Sequence, residues 1–444
     1  MARILIHAFG SYGDIHPYMG LALQLQRRGH EAVFATTPVY REKIEAEGIS
    51  FRAIRPDLPR IDPDLMRKIF DRRQGTEYIF RQILLPNLRD SYQDLAALAG
   101  SPDVILTHPV AFAGPLLARA REIPWISTVL APASFMSADD PPALAGLPFP
   151  ELATRFGRVF HRILFSLAER STRSWLGPYR DLEAELGLKP SANPIFAGQH
   201  SPYLVLGIFS SALAAVQPDW PPNARATGFI FFDRDEAEHP SDSALQTFLN
   251  TGDPPLVFTL GSAAVQAAGN FFLESAQAAR LLRRRAVLLV GKDMPRPPAE
   301  LLSSEIAVFD YAPFSQLFPR AAAIVHQAGI GTTAQVLRAG RPALAMPLSH
   351  DQFDNAFRSK RLGTTRTIPR RQYRAPRVAA ELDRLLREPE YARNAASVRF
   401  KIQAEDGVGA ACDAIESVLR KQAGLPRQVS SVHRRRAPQT TKST

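Results

Sequence analysis

Two glycine-rich turns and two groups of polar side chains are the parts of this sequence able to do chemistry. The first turn, Phe9-Gly10-Ser11-Tyr12-Gly13-Asp14-Ile15-His16-Pro17, follows an apolar run and opens a helical pattern. Asp14, with His16 near it, thus sits at the mouth of a helix, where a carboxylate can take a proton from a ligand hydroxyl. Capping a free helix N–H is an equally good use for the same aspartate. The second turn, Val325-His326-Gln327-Ala328-Gly329-Ile330-Gly331-Thr332-Thr333, runs from a strand through glycines into a helix start. Free backbone N–H groups and the helix dipole make such a place an anion cradle. Beyond the next strand, Asp351 and Gln352 in Pro347-Leu348-Ser349-His350-Asp351-Gln352 offer a carboxylate and an amide suited to sugar hydroxyls. A Gly-x-Gly loop alone says little, and a lone His326 is ordinarily a packing residue; the order of the pieces says more. NAD is disfavoured, because the first turn lacks G-x-G-x-x-G and the second strand ends in Thr36-Thr37 instead of an acid.

The elements that must position these residues follow a βαβ rhythm. Ile4 to Phe9, a helix to Gly29 and Ala32 to Ala35 form one unit; Val104 to Leu106, a helix through Leu116 and Trp125 to Leu130 form another. A second series covers Leu256 to Leu260, Val287 to Val290, Ala307 to Phe309, Ala323 to His326 and Ala343 to Met346. This predicts two α/β domains with parallel sheets covered on both faces, and a ligand site in the crevice outside the strand ends. The Pro-rich stretch from Gln217 and the acidic one after it read as a linker. The division expected is an acceptor domain over 1–215, a linker over 216–245, a donor domain over 246–420 and a disordered basic tail over 421–444.

At 444 residues with 45% hydrophobic and 22% charged positions, the chain can bury two cores. The formal charge of +11 at first suggests nucleic acid, but Lys421, Arg427, Arg434, Arg435, Arg436 and Lys442 supply six charges in an acid-free tail, leaving +5 for the first 420 residues. The single cysteine, Cys412, excludes an internal disulfide and fits a reducing compartment, so a cytoplasmic location is expected. No apolar run reaches the ~18 residues of a membrane span. Between residues 155 and 173, Phe156, Val159, Phe160, Ile163, Leu164 and Leu167 share a helical face among Arg155, Arg158, Arg162, Arg170 and Arg173. Such a helix could line an apolar acceptor pocket, rest peripherally on a membrane, or simply pack with its basic face in solvent.

Taken together, these motifs resemble the inverting nucleotide-sugar glycosyltransferases of the GT-B fold, the superfamily of plant secondary-product, sterol, macrolide and glycopeptide enzymes. The likeness is nearest to bacterial enzymes of the rhamnolipid rhamnosyltransferase catalytic-chain type. It runs from Ile4 to about Leu419 and includes Gln217-Pro218-Asp219-Trp220-Pro221, Thr227-Gly228-Phe229 and Thr259-Leu260-Gly261-Ser262. The resemblance implies two Rossmann-like domains facing across a cleft, with transfer from a UDP- or dTDP-sugar to a hydroxyl of a lipid-like, polyketide, sterol or aromatic acceptor. It implies no metal and no cofactor beyond the donor. By position, Tyr311 would stack on the base; His326, Gly329, Gly331, Thr332 and Thr333 would hold the diphosphate with Ser262; Asp351 and Gln352 would grip the sugar. Asp14 stands where the catalytic base does, and His108 where plant members carry the acidic partner of a histidine, so the dyad would be reversed. Tyr311 replaces a tryptophan, Phe314 a glutamine or histidine and Ala328 a frequent glycine. Two other functions fit the architecture: a nucleotide-sugar 2-epimerase, which needs no acceptor, and a non-catalytic accessory protein.

Overall fold

A computed structural model describes residues 1–58, 62–98, 100–145, 147, 150–233 and 243–423. In the first half, β1 (Arg3–His7), β2 (Glu31–Thr36), β3 (Ser50–Ala53), β4 (Val104–Thr107), β5 (Trp125–Val129), β6 (Val205–Gly207) and β7 (Ala224–Ala226) pair in the order β3-β2-β1-β4-β5-β6-β7, all parallel. In the second, β8 (Leu256–Thr259), β9 (Ala286–Leu289), β10 (Ile306–Phe309), β11 (Ala323–His326), β12 (Ala343–Ala345) and β13 (Thr365–Thr367) pair as β10-β9-β8-β11-β12-β13, again all parallel. The apolar runs of the central strands are buried on both faces, as helix-covered parallel sheets require. Each sheet reverses its strand order once, between β1 and β4 and between β8 and β11. At such a point the following loops diverge and leave a crevice at the carboxyl ends.

The helices used below are α1 (Tyr12–Arg27) and α2 (Arg158–Thr172) in the first half, α3 (Ile330–Ala339) and α4 (Gln352–Arg361) in the second, and α5 (Gly407–Ala423). Among the described residues no helix is long and apolar enough to cross a membrane.

Packing redraws the divisions read from sequence. Residues 217–226 are not linker: Trp220 is buried, stacked on Phe135 at 3.9 Å, and Asp219 accepts bonds from Ser137 Oγ and the Ala138 amide, both at 2.7 Å. The seventh strand, β7, follows directly. Nor does the second half keep its chain to residue 420. Helix α5 returns to the first, placing Ala411, Cys412, Ile415 and Val418 in one core with Ile4, Ile6, Met19 and Leu25. The outward and returning segments touch: a Cβ on Gly407 would lie 2.3 Å from the Phe229 carbonyl oxygen, and one on Gly228 would lie 3.2 Å from Gly407 Cα. The basic tail, beyond Ala423, lies outside the described residues. The apolar row of α2 is also not packed inward, since Val159, Ile163 and Leu167 are 71%, 57% and 61% exposed.

A buried ion cluster joins the halves away from that return. Arg358 of α4 is 2% exposed and bonds Asp354 on its own helix at 2.6 Å. It also pairs with the Asp140 carboxylate of the first half and donates to the Asp140 carbonyl at 3.2 Å. Arg361 adds a 2.9 Å bond to Asp140, and Asp354 accepts from the Ala143 amide at 3.1 Å.

Candidate active site at the facing strand ends

Asp14 and His108 follow β1 and β4, the two strands beside the first switch point, and register brings His7 level with Thr107. Ser11 caps α1 by accepting from the Gly13 amide, and Asp14, three residues on, accepts from Ser11 N at 2.7 Å and Ser11 Oγ at 3.0 Å. Asp14 therefore does cap, but from the first helical turn instead of the N-cap position. That uses Oδ2. The other oxygen lies 3.6 Å from His108 Nε2, a charge contact just beyond hydrogen-bond length. Gly10, at φ +142°, makes the fold-back feasible, because a Cβ there would lie 2.4 Å from Asp14 Oδ2.

The tautomer of His108 follows from its surroundings. Its Nδ1 accepts from the Val110 amide at 3.2 Å, so the neutral ring carries its hydrogen on Nε2, toward Asp14. Tyr18 packs edge-on against the ring, and Thr128 bonds both the Tyr18 hydroxyl and the Thr107 carbonyl. Burial works to raise the Asp14 pKa, yet His108 and the two Ser11 donors outweigh it and hold the carboxyl below its usual range. The ring of His16 lies between Tyr12 and Phe232.

Across the crevice, α3 starts at Gly329 with no side-chain cap, leaving its first-turn amides to a ligand. The Thr333 hydroxyl, Gln327 Oε1 and the Ser349 hydroxyl are buried there without a hydrogen-bond partner among the described residues. A Cβ on Gly331 would stand 3.2 Å from Gly13 Cα, so the first turns of α3 and α1 meet backbone to backbone. His326 is buried, which lowers its pKa to about 4. With Nδ1 accepting from the Ala328 amide at 3.2 Å, it is a neutral N–H donor at Nε2 and not a cation. Ala328 itself adopts φ +64°, the backbone region that explains glycine as the alternative here.

Gln352 turns its Oε1 to the Leu348 and Ser349 amides, at 2.9 and 3.4 Å, so the end left for a ligand is its NH2. Asp351 accepts at 2.7 Å from Asn355 Nδ2, which also donates to the Ala328 carbonyl at 3.0 Å. Asn355 thus ties the Asp351 carboxylate to the loop that opens α3. Its position four residues after Asp351, on one helix face, was the available signal for it. His350 likewise reaches the first half, its Nδ1 lying 3.1 Å from Thr76 Oγ1. Ser262 is exposed beside Gly261, whose missing Cβ makes room for Gln327, and Tyr311 is 69% exposed after β10. Asp14, His108, Gly331 and Asp351 come together where the first turns of α1 and α3 meet, whereas Ser262 follows β8 and Tyr311 follows β10.

Burial raises the Asp351 pKa to about 7, the Asn355 bond opposing and the charge of Asp14 adding to the rise. An acid titrating there exposes its acceptor form only as pH rises through 7. Affinity for a ligand whose hydroxyls donate to Asp351 should climb between pH 6 and 8, and in Asp14→Asn the midpoint should fall because one cause of the raised pKa is gone. Calorimetric titration over that range reads both; a flat profile would remove Asp351 from ligand contact.

The sequence matches the model of the erythromycin biosynthesis protein CIII-like C-terminal domain over residues 286–407 and that of the glycosyltransferase family 28 N-terminal domain over 4–93. It is 30% identical over 428 residues to O-mycaminosyltylonolide 6-deoxyallosyltransferase of Streptomyces fradiae, covering 93% of this chain and 97% of that one. Against the sterol 3-beta-glucosyltransferase of Yarrowia lipolytica it is 26% identical over 421 residues, 91% of this chain but 28% of that much longer protein. The fold matches the Streptomyces sp. SF2575 glycosyltransferase SsfS6, solved with thymidine diphosphate, at TM-score 0.62 and 20% identity, over 94% of this chain and all of that one (100%).

Proposed function

This chain belongs to the GT-B glycosyltransferases of the macrolide and sterol type, and from that premise we propose that it transfers a hexosyl or deoxyhexosyl group from a UDP- or dTDP-sugar to a hydroxyl of an apolar acceptor, with inversion. The supporting observation is the backbone contact of Gly13 with Gly331, which sets the first turn of α1, with Asp14, against the uncapped start of α3. Thymidine diphosphate in SsfS6 favours a pyrimidine nucleotide, and relatives named for a macrolide and a sterol favour an apolar acceptor.

The acceptor hydroxyl approaches Asp14 Oδ1, the oxygen that Ser11 leaves unused. As the acceptor oxygen bonds to the anomeric carbon, its proton passes to Asp14, and the bond from that carbon to the diphosphate oxygen breaks. The diphosphate departs onto the first-turn amides of α3 and the His326 Nε2–H, donors already aimed where charge develops. Asp351 and the Gln352 NH2 hold the sugar hydroxyls, and Tyr311 and Ser262 contact the nucleotide. His108 keeps Asp14 ionised and oriented.

Incubating the protein with UDP-glucose or dTDP-rhamnose and a panel of sterols, macrolactones and 3-hydroxy fatty acids tests this. The expected product carries the anomeric configuration opposite to the donor's, read by NMR coupling. Retained configuration would exclude the single displacement. An epimerised donor formed without acceptor would indicate the epimerase, and absence of donor binding a non-catalytic protein.

A further inference from the structure

Among the described residues, helix α2 is covered on one side and bare on the other. His161, 2% exposed, points inward with its ring nitrogens against the Gly157 and Ala153 carbonyls at 3.2 and 3.1 Å, and Thr172 is buried on the same side. On the opposite side Phe156, Val159, Phe160, Ile163 and Leu167 are 53%, 71%, 42%, 57% and 61% exposed. Val159, Phe160, Ile163 and Leu167 make a row of just over two turns, roughly 12 Å long, and Phe156, just before the helix, extends it with its ring 4.6 Å from that of Phe160. Arg155, Arg162, Arg170 and Arg173 are exposed along and beside this row, and none has an ion-pair partner among the described residues. Only Arg158 is held, by Asp139 at 3.1 Å.

We propose that this outer face of α2 docks on an anionic phospholipid surface. The charge pattern selects the partner. A second copy of the chain would bring two arginine-bearing faces together, a like-charge arrangement that works against pairing. A lone small acceptor is too short to cover the row. A lipid surface satisfies both features, taking the apolar side chains into the acyl boundary and the guanidiniums onto headgroup phosphates. The helix also stands next to the donor half: Lys360 of α4 pairs with Glu151 at 2.6 Å, just before α2, and Asp140 beside Asp139 is gripped by Arg358. Docking on α2 sets this junction, and the crevice with it, at the lipid boundary. On the glycosyltransferase reading an apolar acceptor would arrive from there; the docking itself does not depend on that reading.

The full chain, sedimented with phosphatidylcholine vesicles and with phosphatidylcholine vesicles containing phosphatidylglycerol, is expected to bind the anionic ones at least tenfold better, and less so as salt rises. Ile163→Ser/Leu167→Ser should cut binding to the anionic vesicles tenfold or more with the thermal midpoint unchanged. That variant keeps every charge of the chain, so the loss could not come from the basic C-terminal residues. Arg162→Gln/Arg170→Gln should narrow the preference for anionic over neutral lipid. Equal binding of the wild-type and Ile163→Ser/Leu167→Ser proteins, or no binding to either vesicle, would overturn the proposal. So would a lipid-independent dimer dispersed by the same substitutions, which would make the face a contact between copies.

Discussion

Asp14→Asn should lower turnover by about 10²- to 10⁴-fold, the span attributed to a positioned general base, and leave donor affinity intact. The substitution is close to isosteric, and the amide oxygen can still accept the Ser11 N–H at the start of α1, so the cap and the fold persist. Lost is the ability to hold a proton at Oδ1. Affinity should be compared at pH 8, where Asp351 is ionised with or without its neighbour's charge. His108→Gln should cost less, because that ring touches Asp14 and not the reacting atoms. It should instead shift the acid limb of the pH–rate profile upward, since His108 is one of the groups keeping the Asp14 pKa low. Full turnover by Asp14→Asn would take the residue out of the chemistry.

Arg358→Met should reduce stability by about 3–5 kcal/mol, the usual cost of stripping one partner from a buried ion pair. Asp354 would be left buried with the Ala143 amide as its support, while Asp140 would keep the Arg361 guanidinium. The penalty should be pH-dependent. Arg358 now helps hold Asp140 below its usual pKa and opposes the burial that raises Asp354. Once it is gone both carboxyls titrate higher, protonate as pH falls and escape the unpaired state, so the gap between variant and wild type should narrow from pH 7 to pH 5. Because α4 begins with Gln352 next to Asp351, the donor KM should rise as well. Asp354→Asn/Arg358→Met should regain part of the stability. An unchanged unfolding midpoint at pH 7 would show that the cluster does not join the halves energetically.

The pattern of short apolar runs alternating with helices was enough to predict both sheets, because a parallel strand buried on two faces leaves a local signature. The site loops were legible for the same reason: a strand, a glycine turn and a helix start are contiguous in sequence, and Asp14, His326 and Gly329 to Thr333 each follow a strand at a switch point. What long-range packing decides was not legible. Nothing near Gln217 signals that Asp219 would cap the 137–139 loop, and nothing near Gly407 signals that the next helix would cross back. Helix α2 was ambiguous, because a 3.6-residue apolar period looks alike whether it meets protein or solvent. The partnership of Arg358 with Asp140 spans 218 residues, a separation that no local motif reports.

The return of α5 to the first half has a mechanical corollary. A polypeptide that crosses between two bodies once permits both swinging and twisting. Here it crosses twice, and the crossings lie flank to flank where Gly228 meets Gly407. A gate hung on two adjoining pins can open and shut but resists torsion. Two crossings side by side would favour opening over twisting, and severing α5 is expected to loosen the register of the two halves before it unfolds either.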